Sequence, residues 1–273
     1  MKGWGHSLNR TDRAQKAQET LAIFKNGNYL VDGENVDCQS RFLTDFITEK
    51  QLGEIVLTSG SLSPKYEVVN ESVVDTILRY PNCGVLNFAS AKNPGGGFLN
   101  GSLAQEECLA VSSDLYNSQL QASKFYHINK RSNTALYTHN MIYSGSVTFI
   151  RDGSLSLLSE PVMANVLTSP AVNAGAYYRN ENGEASTVRS VMEKRIRFIL
   201  NVFADKGDRV VILGAFGCGV FGNDSADVAG LFHKLLVDEQ LEKHFERIVF
   251  AVYDSRGEQF GLFAKVFGGQ EHK

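Results

Sequence analysis

The sequence predicts an α/β fold in which a largely parallel or mixed β-sheet is covered by helices on both faces. Apolar runs such as Arg209–Leu213 and Arg247–Tyr253 have the length of buried strands, and helical patterns alternate with them along the chain. No low-complexity linker or internal repeat divides the 273 residues. We therefore expect one domain that spans residues 1–273.

The first predicted element is a helix over Thr11–Asn26 that ends at Gly27, because glycine is common at helix C-caps. A second helix is predicted over Glu71–Arg79, with Asn70 as its N-cap and Pro81 just beyond its end. The further predicted helices are Ala104–Gln121, Glu184–Ala204, Asp224–Val237 and Phe260–Phe267. The further predicted strands are Tyr29–Val31, Glu54–Thr58, Cys83–Ser90, Thr134–Tyr137, Ser146–Ile150 and Val162–Thr168. We expect Ala174–Gly183 to be an irregular loop.

The charge balance argues against a protein that holds nucleic acid on a broad basic surface. The chain has 27 basic and 30 acidic residues, which gives a formal net charge of −3. We therefore expect no direct DNA binding. An anionic ligand must instead be held locally, by backbone N–H groups, helix ends or a few polar side chains.

The cysteines and histidines indicate neither a disulfide framework nor a metal site. Four widely spaced cysteines, without a C-x-x-C pair, predict reduced thiols in a cytoplasmic protein: Cys38, Cys83, Cys108 and Cys218. The six histidines lack metal-ligand spacing, so we expect no metal and no cofactor. The polar first 13 residues lack the apolar core of a signal peptide, and no apolar run approaches the length of a membrane span.

Two glycine-rich loops each follow a predicted buried strand and precede a helix. The first runs from Asn87 to Gly101, and the second from Gly214 to Asn223. Both loops are expected at the carboxyl ends of strands, where open α/β sheets bind ligands. Successive N–H groups in such loops form an anion-binding nest without Lys or Arg, which suits a diphosphate. Neither loop fits the common nucleotide-binding motifs, and glycines that only make tight turns are the alternative.

A pair of carboxylates begins the helix that follows the first loop. Gln105, Glu106 and Glu107 lie there, and acidic residues in a first helical turn are common because the helix dipole favours them. Their position directly after a phosphate-type loop indicates more than a charge cluster. A carboxylic acid held near a diphosphate and partly desolvated has a raised pKa, as a general acid requires.

These motifs resemble the bacterial-type poly(ADP-ribose) glycohydrolases of the macrodomain superfamily. Gly95-Gly96-Gly97 followed after seven residues by Gln105-Glu106-Glu107 is the specific signature. The similarity continues, in order and spacing, in the segments Leu86–Phe98, Leu213–Asn223 and Val249–Asp254. The resemblance implies a macrodomain-like mixed sheet sandwiched between helices, with an N-terminal helical extension of about residues 1–65.

The resemblance also implies how the site works. It implies hydrolysis of the ribose–ribose O-glycosidic bonds of poly(ADP-ribose), with ADP-ribose as the product. Glu107 matches the general acid, and Glu106 matches the residue that binds the ribose hydroxyls. The implied substrate-binding residues are Asn93 at a ribose, Gly95, Gly96, Gly97, Gly217, Cys218 and Gly219 around the diphosphate, Gln105, Val220, Phe221 against the terminal ribose, and Tyr253 at the adenine.

Two other functions remain open from the sequence. A mono-ADP-ribosyl hydrolase that acts on modified protein needs the same pocket and the same acid. A module that binds ADP-ribose without cleaving it keeps the glycine loops but does not need the acid. The intact Gln105-Glu106-Glu107 motif favours an enzyme. Cys218 has no visible partner base, which argues against a reactive thiol.

Overall fold

The structure is a computed structural model that describes residues 8–268. The first seven residues of the expected N-terminal extension, and the last five of the expected single domain, lie outside the described residues. The strands are β1 (Asn28–Val31), β2 (Glu34–Asp37), β3 (Leu43–Ile47), β4 (Lys65–Val69), β5 (Gly84–Phe88), β6 (Met141–Arg151), β7 (Leu157–Ser169), β8 (Val210–Leu213) and β9 (Arg247–Ala251). The α-helices are α1 (Arg10–Asn26), α2 (Glu49–Glu54), α3 (Val73–Arg79), α4 (Gln105–Ser112), α5 (Leu115–Gln121), α6 (Ser123–Arg131), α7 (Ala174–Glu181), α8 (Ala185–Lys206), α9 (Ser225–His233) and α10 (Glu258–Phe267). Short 3-10 helices cover Phe98–Asn100 and Leu241–His244, and a π-helical turn, Lys234–Asp238, follows α9.

In the described range, seven strands form one mixed sheet in the order β3-β6-β7-β5-β8-β9-β4. The strands β7, β5, β8, β9 and β4 are parallel to one another, whereas β6 is antiparallel to both of its neighbours. This confirms the predicted α/β fold with a mixed sheet. The carboxyl ends of β5, β7, β8 and β9 consequently lie at the same edge of the sheet.

Helices cover both faces of this sheet, as the sequence predicts, because consecutive strand residues point to opposite sides. On one face, Leu86 and Phe250 pack against α8, α9 and α10. On the other face, Val85 and Val249 pack against α3 and α4. Complete burial of one such side chain contributes about 1.5–3 kcal/mol. The continuous apolar runs predicted as buried strands therefore supply both halves of the core.

The strands β5 and β8 diverge towards their carboxyl ends. They pair only at Gly84 with Val211 and at Val85 with Ile212, whereas β5 remains paired with β7 as far as Phe88. After β5 the chain continues to β6 on one side, and after β8 it continues to β9 on the other side. Open α/β sheets form their ligand crevices where the direction of the connections reverses in this way.

The N-terminal helix α1 packs directly on the loop that follows β5. Its Arg10 Nε donates to the carbonyl of Asn100 at 2.8 Å, and Arg13 Nε donates to the carbonyl of Gly101 at 2.9 Å. The helix ends as predicted, at Gly27 with a φ of 79°. Because β3 belongs to the central sheet, the region before residue 65 is continuous with the core.

Three predicted elements in the first two thirds of the chain are wrong. The predicted strand over residues 54–58 is the last residue of α2 followed by irregular chain, and the predicted strand Thr134–Tyr137 is a turn and irregular chain. The predicted loop Ala174–Gly183 contains helix α7. This helix forms because the Asn173 side chain caps it, accepting a 3.0 Å hydrogen bond from the N–H of Ala176.

Among the helix boundaries that differ from the prediction, two have a clear side-chain cause. The helix expected over Ala104–Gln121 is divided into α4 and α5, because Asp114 Oδ1 accepts a 2.8 Å hydrogen bond from the N–H of Thr148 in β6. The N-cap of α3 is Ser72 rather than Asn70, since the Ser72 hydroxyl accepts from the N–H of Asp75 at 3.0 Å. None of the helices described is both long and apolar enough to cross a membrane.

Candidate active site

A cavity of about 420 Å³ lies at the carboxyl ends of β5 and β8, where these two strands diverge. This volume is within the usual range for small-molecule sites, roughly 300–1,000 Å³. Both predicted glycine-rich loops and both predicted glutamates contribute to its wall. The residues that line it are Phe88, Ser90, Ala91, Lys92, Asn93, Ala104, Gln105, Glu106, Glu107, Tyr137, Ala171, Ala215, Gly217, Gly219, Val220 and Phe221.

The triple glycine lies against the two carboxylates. Gly95 and Gly96 have φ angles of 63° and 59°, which residues other than glycine rarely adopt. A Cβ at Gly96 would collide with Glu107 Oε1 and would lie 3.1 Å from Glu106 Oε2. None of these three glycines is among the described residues that line the cavity. The conformation of the glycine loop therefore limits where the two glutamate carboxylates can lie. A direct contact of the glycines with the diphosphate stays a prediction.

Glu107 reaches the cavity from the first turn of α4. One hydrogen bond fixes its carboxylate, since Oε1 accepts from the N–H of Gly97 at 2.9 Å. Its side chain is half-buried, whereas the neighbouring Glu106 is only 3% exposed. The two carboxyl groups therefore share one loop but differ in their access to a ligand.

Glu106 is held by three N–H donors. The backbone N–H of Ser90 donates to Oε2 at 2.6 Å, and the amides of Asn87 and Gln119 donate to Oε1 at 3.2 and 3.1 Å. Burial raises the pKa of Glu106 to about 8, although these three hydrogen bonds lower it and the charge of Glu107 raises it further. The carboxyl group is thus fixed in place beside the cavity.

Gln105 connects α4 to the strand that carries the loop. Its amide accepts from the N–H of Phe88 at 2.9 Å and donates to the carbonyl of Leu86 at 2.7 Å. These backbone groups belong to the part of β5 that β8 no longer pairs with. The side chain thereby replaces the missing strand partner and positions the first turn of α4. A substrate contact of Gln105 stays a prediction.

The loop after β8 presents free backbone donors. The N–H groups of Gly219, Val220 and Phe221 form no hydrogen bond with any described residue, and the side chain of Val220 is 93% exposed. Gly217 has a φ of 76°, and a Cβ there would lie 2.6 Å from Asn223 Nδ2. Three consecutive unpaired donors at the end of a strand can bind an anion.

Cys218 belongs to the core beneath this loop. Burial raises the pKa of its thiol to about 12, and Sγ lies 3.7 Å from the carbonyl of Phe216. Unlike the four residues around it, Cys218 does not line the cavity among the described residues. Its expected contact with the substrate stays a prediction.

Tyr253 lies in an adjoining cavity. This second cavity has a volume of about 290 Å³ and shares Phe88, Ala104, Gln105 and Ala215 with the first. Tyr253 follows β9 and is 36% exposed. Because the two cavities share four lining residues, they lie side by side at this edge of the sheet.

Comparisons with known proteins identify the family. Residues 17–152 match the family model described as microbial-type PARG, catalytic domain. The crystal structure of poly(ADP-ribose) glycohydrolase (PARG) from Thermomonospora curvata is 34% identical, with a TM-score of 0.88, and the match covers 94% of this chain and 100% of that one. The chain belongs to the microbial-type poly(ADP-ribose) glycohydrolase family.

Further relatives in this family have been solved with ligands. The Thermomonospora curvata enzyme bound to the inhibitor ADP-HPD gives a TM-score of 0.87 at the same identity and coverage. The Deinococcus radiodurans poly(ADP-ribose) glycohydrolase in complex with ADP-ribose is 37% identical, with a TM-score of 0.76, and the match covers 82% of this chain and 93% of that one. No curated protein sequence matches the chain significantly.

The sequence did not indicate every residue of the glycohydrolase cavity. Tyr137 lines it with a φ of 56°, and its ring centroid lies 6.1 Å from that of Phe221. The guanidinium of Arg195, which is fully buried, donates to the carbonyls of Pro170 and Leu136 at 2.9 Å. In the sequence, Arg195 follows Met192 by three residues in a predicted helix, and this position on the apolar face of the helix is the signal for a buried arginine.

The described residues contain no group of three or more His, Cys, Asp or Glu that could hold a metal ion.

Proposed function

We propose that this chain hydrolyses the ribose–ribose O-glycosidic bonds of poly(ADP-ribose) and releases ADP-ribose, with Glu107 as the general acid. The observation that carries the proposal is that Glu107 and three unpaired backbone donors of the second glycine loop line the same cavity. Membership of the glycohydrolase family supports the reaction, because the matching enzymes are named for it.

The second glycine loop binds the diphosphate in this proposal. The N–H groups of Gly219, Val220 and Phe221 are unpaired, and their loop contains no lysine or arginine. Backbone donors provide partial positive charge without the flexibility of a long basic side chain. Lys92 is the basic residue among those that line the cavity, so the loop supplies most of the anion contacts.

Glu106 and the aromatic wall hold the ribose. Glu106 keeps its carboxyl fixed through Ser90, Asn87 and Gln119, so that Oε2, which receives one of these three hydrogen bonds, can contact a ribose hydroxyl in one orientation. Phe221 packs on the sugar, with Tyr137 beside it. Asn93 lines the same cavity and contacts a ribose in this proposal, and Tyr253, which lines the adjoining cavity, contacts the adenine.

Glu107 donates the proton to the leaving oxygen. As the glycosidic C–O bond breaks, the leaving hydroxyl takes the proton of Glu107 and positive charge develops at the anomeric carbon. The bound diphosphate stabilises that charge. Water then attacks the carbon, a new C–O bond forms, and the released proton returns to Glu107. The two adjacent residues have different roles in this proposal: Glu107 transfers the proton, and Glu106 binds the ribose.

Product analysis on two substrates tests the proposal. The purified protein is incubated with labelled poly(ADP-ribose) and, separately, with mono-ADP-ribosylated protein, both with EDTA present. Release of ADP-ribose from the chains is the expected result. Cleavage restricted to the singly modified protein would assign the site to a mono-ADP-ribosyl hydrolase. Tight binding of ADP-ribose without cleavage of either substrate would reduce it to a binding module.

A further inference from the structure

Gln119 joins the triple-glycine loop to the carboxyl group of Glu106 from outside both motifs. It lies on α5 and has no exposed surface. Its Oε1 accepts from the N–H of Gly95 at 2.7 Å, and its Nε2 donates to Glu106 Oε1 at 3.1 Å. One amide therefore contacts both parts of the site, although it does not line the cavity among the described residues.

The same amide belongs to a small buried network. Gln119 Nε2 also lies 3.4 Å from the hydroxyl of Thr168, which accepts from Asn87 at 3.1 Å. Asn87 in turn donates to Glu106. All three polar side chains are fully buried, and buried polar groups without a partner each cost about 1–3 kcal/mol. Loss of the Gln119 amide would therefore leave the buried N–H of Gly95 without this partner.

We propose that Gln119 is a positioning residue that holds Glu106 in register with the triple-glycine loop. The inference rests on the proposed function, since Glu106 is the residue that binds ribose. Gln119 acts through its two contacts and touches no substrate. Its acceptor end fixes the turn at Gly95, two residues before the N–H that holds Glu107. Its donor end fixes the orientation of the Glu106 carboxyl group.

The two ends of the amide have separable effects, which makes the proposal testable. Gln119→Glu keeps an oxygen for the N–H of Gly95 but removes the donor to Glu106. The variant therefore weakens the binding of ribose while the loop, and with it Glu107, stays in place. Gln119→Met removes both contacts with little change in volume. It disturbs the loop as well, so turnover falls together with binding.

The titratable groups that face Glu106 are Glu107 on its own helix and Tyr126 on α6. Gln119→Glu adds a third acidic group in direct contact with it. A neighbouring carboxyl raises the pKa of a carboxyl group and loss of a donated hydrogen bond raises it further. The midpoint of the pH dependence of ADP-ribose affinity therefore moves to higher pH, whichever protonation state binds.

The experiment compares the wild type, Gln119→Glu, Gln119→Met and a matched control, Gln121→Glu. Gln121 lies on the same helix and is exposed. ADP-ribose affinity is measured by calorimetry between pH 6 and 9, and kcat, KM and Tm are measured for chain cleavage. For Gln119→Glu we expect a loss of affinity of about tenfold, a smaller change in kcat and an upward shift in pH midpoint. For Gln119→Met we expect kcat to fall as well, and for Gln121→Glu no change.

A purely structural role would lower Tm and leave affinity, kcat and the pH midpoint unchanged, and this result overturns the proposal. If neither Gln119 variant folds, Thr168→Val tests the same network through its other partner. A smaller loss of ADP-ribose affinity is then expected, and wild-type affinity contradicts the proposal. A wild-type protein that neither binds ADP-ribose nor cleaves chains instead refutes the proposed function, so the two failures are distinguishable.

Discussion

The backbone N–H of Gly97 donates a 2.9 Å hydrogen bond to Oε1 of Glu107. The proposed acid is therefore held by the loop that precedes it in sequence, and its position depends on the conformation of that loop. The loop is supported in turn by Arg10 and Arg13 of α1 and by Gln119 of α5. Changes in the loop should consequently affect catalysis more than the stability of the fold.

Gly96→Ala tests this dependence. Gly96 has a φ of 59°, and a Cβ there would collide with the carboxylate of Glu107. We expect kcat/KM for chain cleavage to fall by about 10²-fold, since small misplacements of a catalytic group have effects of this size. Gly230→Ala on α9 is the matched control, because nothing lies within 4 Å of its added Cβ. Equal activities of the two variants would show that the loop does not position the acid.

Glu106→Gln is expected to change how stability depends on pH. The pKa of Glu106 is raised to about 8 in the folded protein, from a usual value of 4.5. A raised pKa means that the folded state favours the protonated acid, so its contribution to stability is lost as the pH rises through this window. The wild type should therefore lose up to about 1.4 kcal/mol per pH unit relative to Glu106→Gln between about pH 5 and 8.

The measurement for Glu106 is urea denaturation of both proteins at several pH values. The difference between them cancels the contributions of other buried acids, such as Asp114, whose pKa burial raises to about 6. A difference in unfolding free energy that is constant with pH would mean that Glu106 is ionised in the folded protein throughout this range.

The sequence revealed the parts of the site that are close together along the chain. The triple glycine and Glu107 are ten residues apart, and their function follows from one strand–loop–helix unit. Gln119, Tyr137 and Arg195 could not be identified in this way, because each reaches the site only through tertiary contacts. The sequence instead predicts a strand at Tyr137, because an apolar stretch does not show that one residue adopts a positive φ.

In the fold, too, local sequence patterns could be predicted, whereas features that depend on tertiary contacts could not. The strands β5, β8 and β9 could be predicted because most of their residues are apolar, and the helical patterns between them indicated the covering layers. The edge strands β3 and β4 and the hairpin strand β2 were missed, because their residues are largely polar or partly exposed. The break between α4 and α5 depends on the hydrogen bond that the N–H of Thr148 in β6 donates to Asp114, which no local pattern encodes.

Arg195→Lys should loosen two segments of the cavity wall. The guanidinium of Arg195 donates to three carbonyls, those of Pro170, Leu136 and Tyr137. A lysine has no planar fork and cannot reproduce this arrangement. We expect a loss of roughly 2–3 kcal/mol of unfolding free energy and a higher KM, because Tyr137 lines the cavity. The exposed Arg189→Lys on the same helix is the control, and a similar small effect for both variants would contradict the assigned role.

Thiol reagents should not inactivate the native protein. The four cysteines are free and buried, and burial raises the pKa of Cys83 and of Cys218 to about 12. At pH 8 we expect slow alkylation by iodoacetamide and no loss of chain cleavage, whereas the protein in urea should be alkylated at all four positions. Rapid inactivation that ADP-ribose prevents would place a reactive thiol in the site.

The most direct test of the account compares Glu107→Gln with a matched surface variant, Glu160→Gln, whose side chain is exposed on β7. Cleavage of labelled poly(ADP-ribose) and the Kd for ADP-ribose are measured for both variants. The account predicts that Glu107→Gln cleaves at least about 10²-fold more slowly with an almost unchanged Kd, and that Glu160→Gln behaves as the wild type. Wild-type cleavage by Glu107→Gln would contradict the account, because the proton would then come from another group.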